Sequence, residues 1–232
     1  MRKLLLLLAV LGTSSLASAE DVQEMFGMAS YYQFKTDDAE ALVPALTAYS
    51  GSECRKRVPA QIRLMSEHFN GDEEATHTVI YGFGSPADLQ TSFEVQGSCP
   101  EFARLWSVIS KHTVPTSQSL GMLLSSGGDP TKDSVYQIWQ MTISDEAKYV
   151  EEYNKMQEAR AKAGLVNGAW GLVRFMAGSD SQYTHFAFQG SPDITTHVTP
   201  VADNSIYAKF SQRVSGIREI HRINMNFVAA DL

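Results

Sequence analysis

The spacing of apolar and polar positions predicts strands and helices that alternate along the chain. Residues 28–35 alternate between apolar and polar side chains and are rich in aromatics, which is typical of a strand. Thr36 is a candidate N-cap for a helix, because apolar side chains then recur at helical spacing. Pro44 falls within that helix and should kink it or shift its start. Two further strands, 61–69 and 75–83, flank a turn-forming Asn-Gly-Asp sequence.

The pattern continues in the same way. Residues 86–94 favour a short helix, 100–110 a longer helix that a proline opens, and 115–124 a strand. A turn-rich stretch follows at 126–130. Beyond it the order strand, helix, strand, strand, helix, strand is predicted again, at 134–142, 145–164, 169–177, 182–189, 204–214 and 217–228.

Short sequence matches connect the two sets of elements. YYQF at 31–34 is similar to YQIW at 136–139, GSPAD at 84–88 to GSPD at 190–193, and FARL at 102–105 to YAKF at 207–210. The offsets of these matches are 105 or 106 residues, and the order is kept. Several collinear matches indicate an internal duplication. We therefore expect a first half at 20–125, a linker at 126–130 and a second half at 131–232.

Each half has the element order of the ferredoxin-like unit, so the predicted fold class is α+β, a tandem duplication of a βαββαβ unit. In that topology the first helix ends at the sheet edge where the second begins. Cys54 follows the first helix and Cys99 precedes the second, so a disulfide between them needs no distortion. The chain has two cysteines, and in an oxidising compartment an even number favours a disulfide. Two free thiols are the alternative, but no CxxC context supports a reactive one.

Apolar side chains occupy both alternations of several strands, for example Tyr31 beside Tyr32 and Leu172 beside Val173. A four-stranded sheet with helices on one side has another face that needs cover, and a sheet that meets water there should alternate cleanly. We therefore expect the uncovered faces of the two sheets to pack against each other.

The two ferredoxin-like halves, with their GSP turns and an aromatic second helix, resemble the dimeric α+β-barrel superfamily. It includes the antibiotic-biosynthesis-type monooxygenases, EthD-like and NIPSNAP-like proteins, stress-responsive barrel proteins and the haem-binding chlorite dismutases. The resemblance covers residues 28–228 and is architectural, and no motif identifies a subfamily. It implies that the usual two-chain barrel is fused here in one chain, with a pocket between each sheet and its overlying elements. It implies no single chemistry.

The amino terminus has the pattern of a secretory signal peptide. Residues 1–3 are a short basic start, 4–11 an apolar run and 17–19 a small-residue cleavage site. We expect cleavage after Ala19 and a mature protein that is secreted or periplasmic.

Composition and charge exclude several partners. The chain has 19 basic and 26 acidic residues, a net charge of −7, and removal of the leader makes it more acidic. With no cluster of Lys and Arg, it is a poor candidate for nucleic acid or anionic membrane surfaces. No later stretch approaches eighteen apolar residues, so stable membrane insertion is not expected. At 44% hydrophobic and 19% charged residues, the composition is that of a globular protein.

The last predicted strand is the most polar, with Arg222, Asn224 and Asn226 on one face. Such a face is costly to bury unless its groups pair, meet water or hold a polar ligand. Together with Arg174 and nearby aromatics it could bind a carboxylate or an enolate. An internal polar network is the alternative, and such networks are routine at interfaces of this kind. The candidate ligand-binding residues are Arg174, Arg222, Asn224, Asn226, Trp139, Trp170 and Tyr183.

Six histidines are scattered without the spacing of a metal site, so no metal is expected. His185, on a predicted central strand, is a candidate general base, and Arg222 could stabilise an enolate in a cofactor-free oxygenation. A haem pocket requires little more than one histidine with an arginine opposite. However, the haem-binding relatives generally carry that histidine on a helix, and neither predicted long second helix contains one. We therefore expect no cofactor and keep haem as the weaker alternative.

These observations favour a small-molecule-binding or sensing protein without metal, with its pocket in the second half. A cofactor-free monooxygenase or haem-dependent oxidoreductase on the same scaffold is the alternative, and a structural or assembly subunit is the third. The sequence leaves open the ligand, the oligomeric state and whether the protein is an enzyme.

Overall fold

The structure is a computed structural model that describes residues 27–178, 183–199 and 204–232. The expected leader, residues 1–19, lies outside the described residues. Eight strands form the centre of the described chain. They are β1 (Met28–Lys35), β2 (Gln61–His68), β3 (His77–Phe83), β4 (Val114–Gly127), β5 (Val135–Ile143), β6 (Trp170–Ala177), β7 (His185–Ser191) and β8 (Arg218–Asp231).

The strands close into one barrel in the order β1, β3, β2, β8, β5, β7, β6, β4. Within each half the fourth, first, third and second strands are neighbours in that order, which is the ferredoxin-like arrangement. The predicted fold class is therefore confirmed. The two uncovered faces turn towards each other as the inner wall of the barrel. The halves also join at two antiparallel seams, one between β2 and β8 and one between β4 and β6.

The helices are α1 (Ala39–Ser50), α2 (Glu53–Arg57), α3 (Pro86–Ser98), α4 (Pro100–His112), α5 (Glu146–Lys162), α6 (Ile194–Val198) and α7 (Ser205–Val214). Asp38, not Thr36, is the N-cap of α1, because its carboxylate accepts the Ala41 N–H at 3.2 Å. The Thr36 hydroxyl instead accepts the Asp38 N–H. Pro44 lies inside α1 and does not shift its start.

Helices cover the outer face of the sheet in both halves. In the first half α1 packs beside α4, and Tyr49, Ile62 and Leu105 lie in the core around the Cys54–Cys99 disulfide. In the second half α5 packs beside α7 over a larger aromatic core. Along the described part of the chain, no helix is long and apolar enough to cross a membrane.

Candidate functional site

A cavity of about 470 Å³ lies in the first half, between the outer face of the sheet and α1, α3 and α4. Its wall is mostly aromatic and aliphatic, as is usual for a small-molecule pocket. The aromatic residues that line it are Tyr32, Phe34, Tyr49, Tyr81, Phe83, Phe93, Phe102 and Trp106. The larger described cavity is therefore in the first half, whereas the sequence indicated a pocket in the second.

Polar groups form a small cluster in the cavity wall. The Gln96 amide nitrogen lies 3.4 Å from the Tyr49 hydroxyl oxygen and also bonds the Tyr81 hydroxyl. Burial raises the pKa of both phenols, and Gln96 opposes the rise, so both stay protonated at neutral pH. The hydroxyls of Ser30 and Ser92 are buried in the same wall without a hydrogen-bond partner among the described residues.

The corresponding space in the second half is filled by large side chains. Tyr149 and Tyr153 of α5 stack with ring centroids 6.2 Å apart, and both contact Phe210 of α7. The Tyr153 hydroxyl donates to the Gly171 carbonyl at 3.0 Å. Trp170 packs edge-on against Tyr153, and Trp139 adjoins the same core. These rings occupy the space that α1 and α4 leave open over the first sheet.

Two of the candidate residues, Arg174 and His185, meet at Glu146, the first residue of α5. His185 Nε2 lies 2.9 Å from one Glu146 oxygen, and Arg174 donates to the other at 3.0 Å. His185 Nδ1 is 2.7 Å from the Thr184 hydroxyl. Burial lowers the pKa of His185, Glu146 opposes the change and Arg174 adds to it. This outer-face group is a partly exposed ion-pair network, with both imidazole nitrogens engaged.

The remaining candidates belong to the barrel interior or its end. Asn224 and Asn226 face inwards and donate hydrogen bonds to Glu67. Arg222 is bonded to Glu73 and lies 3.6 Å from Asp72, both in the β2–β3 loop. Tyr183 lines the interior cavity and contacts Phe175. The candidate residues thus lie on opposite faces of the sheet and do not line one pocket, and His185 and Arg222 do not meet.

The two spaces over the outer face of the sheet, one in each half, do not fit haem. The lining of the first-half cavity contains no His, Cys or Met, which are the common axial ligands. A tyrosine can ligate haem, but the raised pKa of Tyr49 and Tyr81 opposes the phenolate, and Tyr32 packs edge-on against Tyr81. In the second half His185 is 4% exposed, and aromatic rings fill the space above the sheet.

One group of three metal-ligating side chains occurs within the described ranges, formed by Cys54, Cys99 and Glu101. Both cysteines are in the disulfide, so neither offers the thiolate that binds metals.

Sequence patterns missed the residues that line the first-half cavity. Ser92 belongs to the predicted helix at 86–94. The observed helix, α3, is mostly polar, and Ser92 is its single buried residue. A serine inside a helix that was predicted to cover a sheet was the available signal. Ser30, flanked by Ala29 and Tyr31 on an aromatic-rich strand, was a second one.

Comparison with known proteins defines the fold but not the chemistry. No protein-family model matches the chain, and no curated protein matches its sequence. A predicted monooxygenase from Lactobacillus acidophilus has a similar structure, with a TM-score of 0.57 and 9% identity over 90% of this chain and 96% of that one. An anthrone oxidase-like protein has a TM-score of 0.54 and 10% identity, covering 91% and 94%.

A haem-binding protein from Thermus thermophilus has a TM-score of 0.52 and 8% identity, covering 89% of this chain and 92% of that one. At such low identity these similarities establish the architecture alone. The protein has the dimeric α+β-barrel fold, a scaffold that monooxygenase-like and haem-binding proteins share.

Proposed function

We propose that the protein binds a small, uncharged, ring-containing molecule in the first-half cavity. The observation that carries this proposal is the cavity of about 470 Å³, in which aromatic walls surround buried hydroxyls without partners among the described residues. A buried hydroxyl that lacks a partner is costly, and a ligand oxygen or N–H at Ser30 or Ser92 would remove that cost.

The lining favours a neutral ligand with one polar end. The side chains that line the cavity are uncharged, and Arg55, whose charge acts on Tyr49 and Tyr81, already donates to backbone carbonyl oxygens. A charged ligand would therefore lose its hydration without gaining a free counterion. Aromatic walls favour a flat ring, which packs against them edge-on or offset. Gln96, together with the Tyr49 and Tyr81 hydroxyls, would bind a carbonyl or phenol oxygen.

A second candidate function is cofactor-free oxygenation in the same cavity. The monooxygenase-like structural neighbours support it, and so does the cluster of two phenols and Gln96, where a substrate oxygen would lie. In such a reaction an activated CH₂ carbon of the substrate loses both hydrogens and gains one atom of O₂ as a carbonyl, and the second oxygen atom leaves as water. His185 and Arg222 lie outside this cavity and would not take part.

We further propose that the protein works in an oxidising compartment, secreted or periplasmic, and that its two halves arose by duplication. The Cys54–Cys99 disulfide and the amino-terminal leader pattern support the compartment. The shared strand order of the two halves supports the duplication.

A pair of serine variants on one helix tests the binding proposal. Ser92 faces the cavity from α3, whereas Ser98 is exposed on the same helix and donates to the Glu94 carbonyl. With 2-naphthol as the probe, Ser92→Ala should weaken binding about fivefold, the effect of one hydrogen bond. Ser98→Ala should leave binding unchanged. Because the Ser92 hydroxyl has no described partner, Ser92→Ala should not lower the free energy of unfolding.

A cavity-filling variant provides the stronger test. Val79 lines the cavity from β3, and an indole in its place would occupy the space of the ligand. Val79→Trp should therefore abolish 2-naphthol binding in isothermal titration calorimetry. Undiminished binding in this variant contradicts the proposal. If the natural protein takes up oxygen with anthrone as substrate and the Val79→Trp variant does not, the result supports the second candidate function, cofactor-free oxygenation.

A further inference from the structure

A second cavity lies inside the barrel, on the opposite face of the sheet from the first. Its volume is about 160 Å³, and strands of both halves line it. Towards the end that the β2–β3 loop adjoins, its wall is polar. The polar residues there are Gln33, Glu67, Thr78, Gln140, Asn224 and Asn226. The two cavities share Gln33 and Ile62 and are otherwise lined by different residues.

Glu67 is the charged group at this polar end of the cavity, whereas Arg63 and Asp231, which also line the cavity, pair with each other. The Glu67 carboxylate accepts hydrogen bonds from Asn226 Nδ2 at 2.9 Å, from Asn224 Nδ2 at 3.3 Å, from the Thr78 hydroxyl and from the Gln33 side chain. The residue is 9% exposed, and no cation pairs with it among the residues that the structure describes. The arginine at the same end, Arg222, is already paired with Glu73 and Asp72.

Two further acceptors near Glu67 are unsatisfied. Gln140 Oε1 and Asn224 Oδ1 are buried and have no hydrogen-bond partner in the described structure. The residues are 8% and 6% exposed. Gln140 pairs with Arg222 and Asn224 with Ile138 across the β5–β8 ladder, so the two amides are diagonal neighbours on the inner face. Both line the same cavity as Glu67.

An apolar aromatic wall completes the cavity. Tyr31 and Phe186 meet edge-on with centroids 5.2 Å apart, and Phe175 lies 5.3 Å from Phe186. All three line the cavity. A cavity of about 150 Å³ accommodates a benzene ring, so this space has room for one small apolar group beside the polar wall.

We propose that the barrel interior binds a primary ammonium group that carries a short aryl or alkyl substituent. An ammonium group has three N–H donors and no acceptor, and two of these donors match the two unpaired amide oxygens. Its positive charge compensates Glu67, and the aromatic wall packs against the substituent. An anion or a second acceptor would leave these oxygens unpaired and is excluded on the same grounds. The raised pKa of Glu67, caused mainly by burial, agrees with a carboxylate that lacks a counterion in the free protein.

Calorimetric titration with benzylammonium and benzyl alcohol at neutral pH tests the proposal. The two probes have the same ring and reach, but only the first carries the charge. The full-length protein should bind benzylammonium at least tenfold more tightly than benzyl alcohol. Glu67→Gln should remove that difference, whereas Glu73→Gln, at a carboxylate of the adjoining loop, should keep it. All titrations use chains that also carry Val79→Trp, which fills the first-half cavity, because benzyl alcohol would otherwise bind there as well.

Several outcomes overturn the proposal. One is the absence of saturable benzylammonium binding, which would mean that water satisfies the orphaned amides. Equal binding of the two probes, or unchanged binding in Glu67→Gln, is another. Stabilisation by K⁺, Na⁺ or Ca²⁺ alone would assign the oxygens to a metal ion instead. If Glu67→Gln fails to fold, Gln140→Leu is tested in its place. An unchanged preference for benzylammonium over benzyl alcohol in Gln140→Leu would also contradict the proposal.

Discussion

At the scale of single residues, Glu146 determines what His185 and Arg174 do. It binds both of them from the first turn of α5, which holds the two side chains together on the outer face of the sheet. Strand alternation correctly groups Asn224 with Asn226, because both face inwards and bind Glu67. It cannot predict which alternation faces inwards when both are apolar, and for that reason the sequence combined residues of two faces in one pocket.

His185 should make stability depend on pH. Burial lowers its pKa in the folded protein, so below the unfolded value of about 6.5 the unfolded chain binds more protons. The free energy of unfolding therefore decreases as the pH falls from the unfolded pKa to the lower pKa of the folded protein. His77 and His197 have pKa values lowered by burial as well and contribute in the same direction.

His185→Gln should therefore reduce the dependence of the melting temperature on pH between neutral and mildly acidic conditions. The matched control is His221→Gln, because His221 is exposed and bonded to Thr142. Thermal unfolding of both variants across that range checks the prediction. If the melting temperature of His185→Gln depends on pH as that of the natural chain does, the His185 imidazole keeps its proton affinity on folding, which contradicts the prediction.

At the scale of elements, periodicity was sufficient to predict the eight strands. The strand predicted at 134–142 is observed at Val135–Ile143, and the one at 217–228 as Arg218–Asp231. The helix predicted at 86–94 is observed to extend to Ser98. The prediction ended too early because the later residues lack the apolar spacing that indicates a helix. The cavity could not be predicted, since it depends on how far α1 and α4 stand from the sheet.

The Cys54–Cys99 disulfide joins α2 to the junction between α3 and α4 and should stabilise the helical layer of the first half. It closes a separation of 45 residues, for which the chain-entropy model gives about 4 kcal/mol. Replacing both cysteines by alanine should lower the free energy of unfolding by roughly that amount. Denaturant titration with and without dithiothreitol checks this. The reductant should destabilise the natural chain and leave the double variant unchanged.

The same double variant should also lose affinity for a ligand of the first-half cavity. That cavity lies between the sheet and helices that the disulfide holds together, so a looser helical layer costs ordering free energy on binding. The second-half core contains no disulfide and should keep its tyrosine environment in near-ultraviolet circular dichroism. Unchanged 2-naphthol affinity in the folded double variant would indicate that the sheet alone shapes the cavity.

At the scale of the whole molecule, the two halves complete one sheet. Each half has two strand edges, and both pair with the other half, at the β2–β8 and β4–β6 seams. The inner-wall contacts also cross between halves, as where Glu67 of the first half binds Asn226 of the second. An isolated half would expose both edges together with an apolar inner face, which favours aggregation. The chain should thus unfold as one unit although it contains two similar modules.

Tryptophan positions allow that cooperativity to be measured. Of the three tryptophans, Trp106 belongs to the first half, whereas Trp139 and Trp170 belong to the second. In the Trp106→Phe variant, all tryptophan fluorescence comes from the second half. In the double variant Trp139→Phe/Trp170→Phe, it all comes from the first half. Within each variant, the denaturant midpoint from fluorescence should coincide with that from far-ultraviolet circular dichroism, because a shared barrel cannot lose one half and keep the other. Comparison within a variant removes any effect of the substitutions on stability. Separate midpoints in either variant would mean that the seams contribute little and that each half is stable alone.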